Sequence, residues 1–202
     1  LGISVRLSGR RMTPVERFAG TAEEWDTFVR AQHGWTHFHR FGWQQIMHSA
    51  LGHDTIYLAT RYNGALAGVL PLVRVKSALF GHYLVSMPFV NYGGPLGSAE
   101  SVRALSAEAI RIAVAENVKL LELRSAVELP LELPASHRKV TVVFDLPGTA
   151  DALMKGFPAK LRSQVRRPER EGVTYAFGAD QVGPFFSVFA RHMRDLGTPT
   201  QG

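Results

Sequence analysis

The sequence predicts an α+β protein in which helices flank a mixed sheet. Three observations lead there. Apolar residues recur at helical spacing near both ends and in the middle of the 202-residue chain. Between those helices the period changes to that of strands, with Asn63-Gly64 marking a tight hairpin. The order is two helices, an antiparallel meander, a helix, two strands and further helices, a layout in which helices cover both faces of a central sheet.

The elements follow in order. Thr21-Ala22-Glu23-Glu24 is a capping box, so a helix is predicted from Ala22 to His33. Trp43, Ile46, Met47 and Ala50 share a helical face, and Gly52 is the stop signal for a second short helix. "DTIYLATRYNGALAGVLPLVRV" reads as two strands joined at Asn63-Gly64, and a further strand runs from His82 to Ser86. Ser98 opens a helix on which Val102, Leu105, Ala109, Ile112 and Ala113 face one way. "KLLELR" is predicted as a buried strand and "KVTVVFDL" as another. Thr149 caps a short helix, Pro158 starts a basic helix that ends at Gly172, and "VTYAF" is a strand. Val182, Phe185, Phe186, Phe189 and Met193 form the apolar face of a last helix, expected to pack on a sheet in a second lobe.

Composition narrows the function classes. A hydrophobic share of 46% and a charged share of 20% are those of an ordinary globular protein. With no cysteine, disulfide scaffolds, cysteine metal sites and cysteine nucleophiles are excluded. Lys and Arg exceed Asp and Glu by 23 to 17, and this net +6 suits phosphates, nucleic acid or an anionic membrane face. No apolar run approaches the roughly 18 residues of a spanning helix, and the first thirty residues lack a signal-peptide core. A cytoplasmic protein is expected, one that can also sit peripherally on a membrane. Opening on Leu1 and closing on "RDLGTPTQG", the chain reads as part of a longer one.

Candidate binding residues fall in two stretches. In "SMPFVNYGGPLGS" (86–98) an apolar strand ends on Asn91 and Tyr92, followed by Gly93, Gly94 and Pro95. Glycines let a backbone come close to a partner, while an Asn amide and a Tyr hydroxyl give directional hydrogen bonds. A ligand cleft with Gly93 or Gly94 at positive φ is one reading, and a plain strand-to-helix turn the other. In "FPAKLRSQVRRPEREGV", Lys160, Arg162, Arg166 and Arg167 crowd one helix, with Arg162 and Arg166 one turn apart. Such a helix can grip phosphates in the same cleft as Asn91, or be a solvated cationic face. Pro168 should kink or end it.

Other signals are weaker. His37 and His39 would share one side of an extended segment but lack a third ligand, so no metal site is predicted. Glu122 and Arg124 are read as an ion pair. No nucleophile-elbow sequence accompanies the Ser, His and Asp residues, and no catalytic residue is assigned. No Gln/Arg-x-x-Gly-x-Gly/Ala loop of the kind that holds coenzyme A pyrophosphate at a helix start is present. "RYNGAL" comes nearest but lies in the hairpin.

The segments "GVLPL", "SMPFVNYGG", "LELR" and "KLRSQVRRPEREG" resemble the FemAB-like family, in particular the branch associated with exosortase and PEP-CTERM exopolysaccharide loci. The resemblance runs from about Trp25 to Pro199. It implies tandem acetyltransferase (GNAT)-like domains, the first over 1–148, with linking helices and the beginning of a second over 149–202. It implies transfer of an acyl group, typically an amino acid from aminoacyl-tRNA, to an amine of a cell-wall precursor. Aminoacyl-tRNA or acyl-CoA is then a donor substrate, with no tightly bound cofactor. The phosphate-bearing partner is tRNA, acyl-CoA or a lipid-linked precursor, and the oligomeric state is left open. The alternatives are an acyl-CoA-dependent N-acyltransferase and a non-catalytic basic protein binding nucleic acid or anionic lipid.

Overall fold

The computed structural model describes residues 13–77, 81–137, 140–198 and 200. The chain divides between Leu133 and Pro134 into two compact units.

The first unit is built on a mixed sheet. Strands β2 (Asp54–Tyr62) and β3 (Ala65–Ser77) form the hairpin, with Tyr62 opposite Ala65 and Asp54 opposite Arg74. Asn63 and Gly64 both take left-handed φ, 50° and 84°, as a two-residue turn between twisted strands requires. Pro71 lies inside β3, between the residues paired with β5 (Leu96–Gly97) and those paired with β4 (Gly81–Val85), so it interrupts no ladder on that side. Strand β1 (Glu16–Arg17) adds to β2, and β6 (Leu120–Glu122) runs parallel to β4. The sheet order is β1-β2-β3-β4-β6, with β5 on β3. Leu120 is half exposed, so β6 is not the buried strand that its apolar run predicts.

Period-2 alternation gives the sheet two apolar faces. Ile56, Leu58, Leu70, Leu72 and Leu84 meet Leu105, Ala109, Ile112 and Ala113 of α3 (Ala99–Ala115). On the other face Tyr57 and Val69 meet Trp25 and Val29 of α1 (Ala22–Arg30). Each large side chain buried this way contributes roughly 1.5–3 kcal/mol. Thr21 caps α1 by accepting the Glu24 N–H, although the helix ends at Arg30, short of His33. The second helix departs further from expectation. After three residues of α2 (Trp43–Gln45) it widens into a π turn, Ile46–Ala50, and Met47 is fully buried against Val73 and Met87.

The second unit is helical: α4 (Ala150–Gly156), α5 (Ala159–Arg170) and α6 (Val182–Asp195). None of its described residues is buried. Neither "KVTVVFDL" nor "VTYAF" forms a strand among the described residues, and Lys139 lies outside them. Val140 and Val142 are 88% and 87% exposed, so the apolar alternation there joins no sheet among the described residues. The predicted α6 face exists, but Phe185 is 66% exposed and stacks on Phe189 at 5.7 Å instead of on a sheet. Pro168 does not break α5, because the helix closes two residues later, and Gly172 ends it with φ of 72°.

Candidate functional site

The 86–98 stretch starts at the carboxyl end of the parallel β4–β6 pair, the strand end at which open α/β sheets bind ligands. The β4–β6 ladder stops at Val85 opposite Glu122. Ser86 extends it, its N–H donating to the Glu122 carbonyl at 2.9 Å and its Oγ accepting the Arg124 N–H at 2.7 Å. The chain then loops out and returns, and the N–H groups of Gly93 and Gly94 both donate to the Arg124 carbonyl, at 3.0 and 2.6 Å. The wedge beyond the parallel ladder is therefore filled by the chain's own loop.

That approach explains the two glycines. A Cβ on Gly94 would lie 2.8 Å from the Arg124 carbonyl oxygen, and one on Gly93 would run into Cβ and Cγ of Met87. The close approach foreseen for this backbone is an approach to another part of the chain. Neither glycine takes a positive φ, contrary to expectation. Positive φ falls instead on Gly97 (134°) and on Met87 (58°) and Phe89 (68°), the last two bulky residues for which that conformation is an outlier. Asn91 is exposed, Tyr92 half-buried, and Gly93 and Gly94 buried.

Two side chains hold the loop in place. The Arg124 guanidinium pairs with Glu122 through Nε at 2.9 Å and Nη2 at 3.2 Å, and Nη1 donates to the Val90 carbonyl at 2.9 Å. The ion pair read from the sequence is formed, and it also fastens the loop. His39, 2% exposed, bridges the Thr36 turn and the loop. The Thr36 N–H lies 3.0 Å from Nδ1, which makes that nitrogen the acceptor, so Nε2 carries the proton and donates to the Gly94 carbonyl at 3.2 Å. Burial lowers the His39 pKa, partly offset by its bonds to Thr36 and Gly94, and the ring is held neutral. The His37 Nδ1 instead accepts the Trp43 indole N–H. Among the described residues no group of three or more His, Cys, Asp or Glu could hold a metal ion.

Packing links the loop to the π turn. Met47 touches Met87, and His53, whose N–H donates to the Met47 carbonyl, stacks on Phe89 at 5.4 Å with 15° between the rings. An open notch of about 500 Å³ lies elsewhere in this unit, lined by Thr21, Glu23, Glu24, Thr27, Phe28, Ala65 and Leu66.

In the second unit the basic cluster is less uniform than its sequence. Arg162 turns back to donate to the Phe157 carbonyl, and Arg167 pairs with Glu171 at 2.7 Å. The side chains of Lys160 and Arg166 make no hydrogen bond or ion pair among the described residues, whereas those of Arg162 and Arg167 are engaged. Arg162 and Arg166 do not act as an equivalent pair.

Sequence reading missed Met87, Phe89, His39 and His53 as parts of this site. Nothing in the order "MPFVNYGG" marks a Phe as left-handed, since Gly and Asn stand close by and are the usual occupants. The link from His39 to Gly94 spans 55 positions and has no local signature. Among the described residues no helix is long and apolar enough to cross a membrane. Comparison with known proteins returned no match, whether to a family model, a curated protein or a solved structure.

Proposed function

We propose that the protein is an acyltransferase of FemAB type with an acetyltransferase-like fold, acting at the cytoplasmic face of a membrane. It joins an acyl or aminoacyl group to an amine of a cell-envelope or exopolysaccharide precursor. The observation that carries the reading is the path of the chain. Antiparallel β2, β3 and β4 lead into the 86–98 loop, then α3, then β6 parallel to β4. In an acetyltransferase-like fold a strand likewise runs into a loop and a helix start, where the ligand is met.

The same loop bears on the donor. A coenzyme A pyrophosphate needs free backbone N–H groups in that loop. Here the amides of Gly93 and Gly94 are taken by Arg124, and the Ser101 N–H at the start of α3 is taken by the Ser98 hydroxyl. This favours aminoacyl-tRNA over acyl-CoA. In the reaction the acceptor amine attacks the acyl carbon, a C–N bond forms and the ester C–O bond breaks. The ribose oxygen leaves with the proton that the amine gives up. Lys160 and Arg166 bind the phosphates of donor or acceptor.

The test is mass spectrometry of RNA and small molecules retained after gentle purification, followed by transfer assays with what is found. Retained tRNA that gives up its amino acid to an amine supports the reading. A retained coenzyme A thioester would move the assignment to the N-acyltransferase alternative. RNA that binds without turnover and dissociates in salt would leave a non-catalytic basic protein.

A further inference from the structure

Phe89 is held in a conformation that penalises any side chain, yet much of its ring is given to solvent. At φ of 68° a glycine or asparagine would sit with less strain. The residue is 42% exposed, so its burial offsets only part of that strain and a large part of its surface is left to solvent. One face is backed by His53, nearly parallel at 5.4 Å. Strained backbone of this kind persists where surrounding structure over-determines it, and it gathers at ligand sites. Here the over-determination is visible: the Val90 carbonyl is clamped by Arg124, and Met87 is packed on Met47 of the π turn. π turns are themselves frequent at functional sites.

We propose that Phe89, backed by His53 and followed two residues on by Asn91, is a stacking platform for a neutral sugar ring. An aromatic face suits the apolar C–H face of a pyranose, and the exposed Asn91 amide offers both a donor and an acceptor for ring hydroxyls. The one guanidinium tied to this loop, Arg124, is engaged by Glu122 and Val90. The platform therefore offers hydrogen bonding without a committed charge, which fits a neutral sugar better than a phosphate. This deepens the acceptor half of the proposed function and rests on that reading only for the origin of the sugar.

The experiment pairs a stability measurement with a binding one. Phe89→Gly relieves the left-handed strain but gives up the partial burial and the His53 contact, so its Tm should stay close to that of the wild type. A Phe kept for packing would instead lower Tm by several degrees when removed, which would overturn the proposal. Saturation-transfer NMR with the N-acetylglucosamine trisaccharide should show transfer to sugar ring protons in the wild type. That signal should vanish in Phe89→Gly and His53→Ala and persist in Phe89→Trp. If the wild type ignores the trisaccharide, or takes free uridine instead, the sugar assignment fails. Trisaccharide binding through Phe89 by a protein that transfers no acyl group would keep the platform and remove the transferase. Acyl transfer with no saturation of the sugar would do the reverse.

Discussion

Gly94→Ala tests whether the glycine pair serves the fold through its approach to Arg124. The added methyl would lie 2.8 Å from the Arg124 carbonyl oxygen and 3.2 Å from both the Arg124 carbonyl carbon and Ser125 Cβ. Two of those three atoms are backbone, so no side-chain rotation relieves the clash. The φ of Gly94 is not positive, so the cost is steric and not one of backbone conformation. Forcing extra volume into a packed site costs about 1–3 kcal/mol. Moving the loop outward also weakens the Gly93 and Gly94 bonds to Arg124 and the His39 bond to Gly94, each worth about 0.5–1.5 kcal/mol. A destabilisation of about 2–4 kcal/mol is expected overall, read as a lower urea midpoint at unchanged slope. Hydrogen exchange of the Gly93 and Gly94 amides should quicken as well, because their shared acceptor is displaced. A Gly94→Ala protein within about 0.5 kcal/mol of wild type would refute the reasoning and return the glycine to a ligand role.

Three further outcomes follow from the same geometry. Replacing Arg162 and Arg166 together with Gln should lower stability by only about 0.5–1.5 kcal/mol, from the lost Arg162 bond to the Phe157 carbonyl, since the exposed Arg166 charge adds about 0–1 kcal/mol at most. Binding of tRNA should weaken by roughly 1.5–3 kcal/mol for each phosphate interaction removed, with a flatter salt dependence, and most of the effect should reside in Arg166. Trp25→Phe removes the indole N–H that bonds the His39 carbonyl at 2.7 Å inside the core, and a destabilisation of about 1–3 kcal/mol is expected in urea unfolding. Stability should fall with acid in two stages. His39 has a lowered pKa when folded, so the unfolded chain binds its proton first and stability declines as pH drops below about 6.5. Glu24 and Glu116, held low by Arg61 and Arg74, add a second decline below about 4.5. His39→Gln should abolish the first stage and leave the second.

The fold was legible where a local rule and the tertiary environment agree. Asn63-Gly64 announces its turn because both residues tolerate positive φ, and Thr21 announces a helix start because its hydroxyl reaches the Glu24 N–H. Alternation in 56–73 marks both faces of the sheet because both are covered. Legibility failed where the pattern needs a partner. "KVTVVFDL" has the composition of a strand, yet no described segment pairs with it and its valines stand in solvent. The π turn failed for a different reason: Trp43, Ile46, Met47 and Ala50 fit α spacing, and nothing in those positions distinguishes a turn one residue wider. In the site, Asn91 to Gly94 drew notice for their residue types. What holds them in place, a carbonyl of Arg124 and an imidazole of His39, comes from distant parts of the chain.

The loop inverts the usual assignment of roles between glycine and bulky residues. Flexible residues ordinarily suggest the functional point of a loop because they let a ligand close in. Here the glycines are consumed by packing: their N–H groups are bonded and the space of their missing side chains is filled by Arg124, Ser125 and Met87. The left-handed positions, where glycine would be less strained by about 1–2 kcal/mol each, carry Met87 and Phe89 instead. For Met87 the compensation is clear, since its side chain is fully buried against Met47 and Val73. For Phe89 the half-exposed ring offsets only part of that strain through His53. On the proposed reading, a sugar stacked on the exposed part of the ring supplies the contact that offsets the remainder.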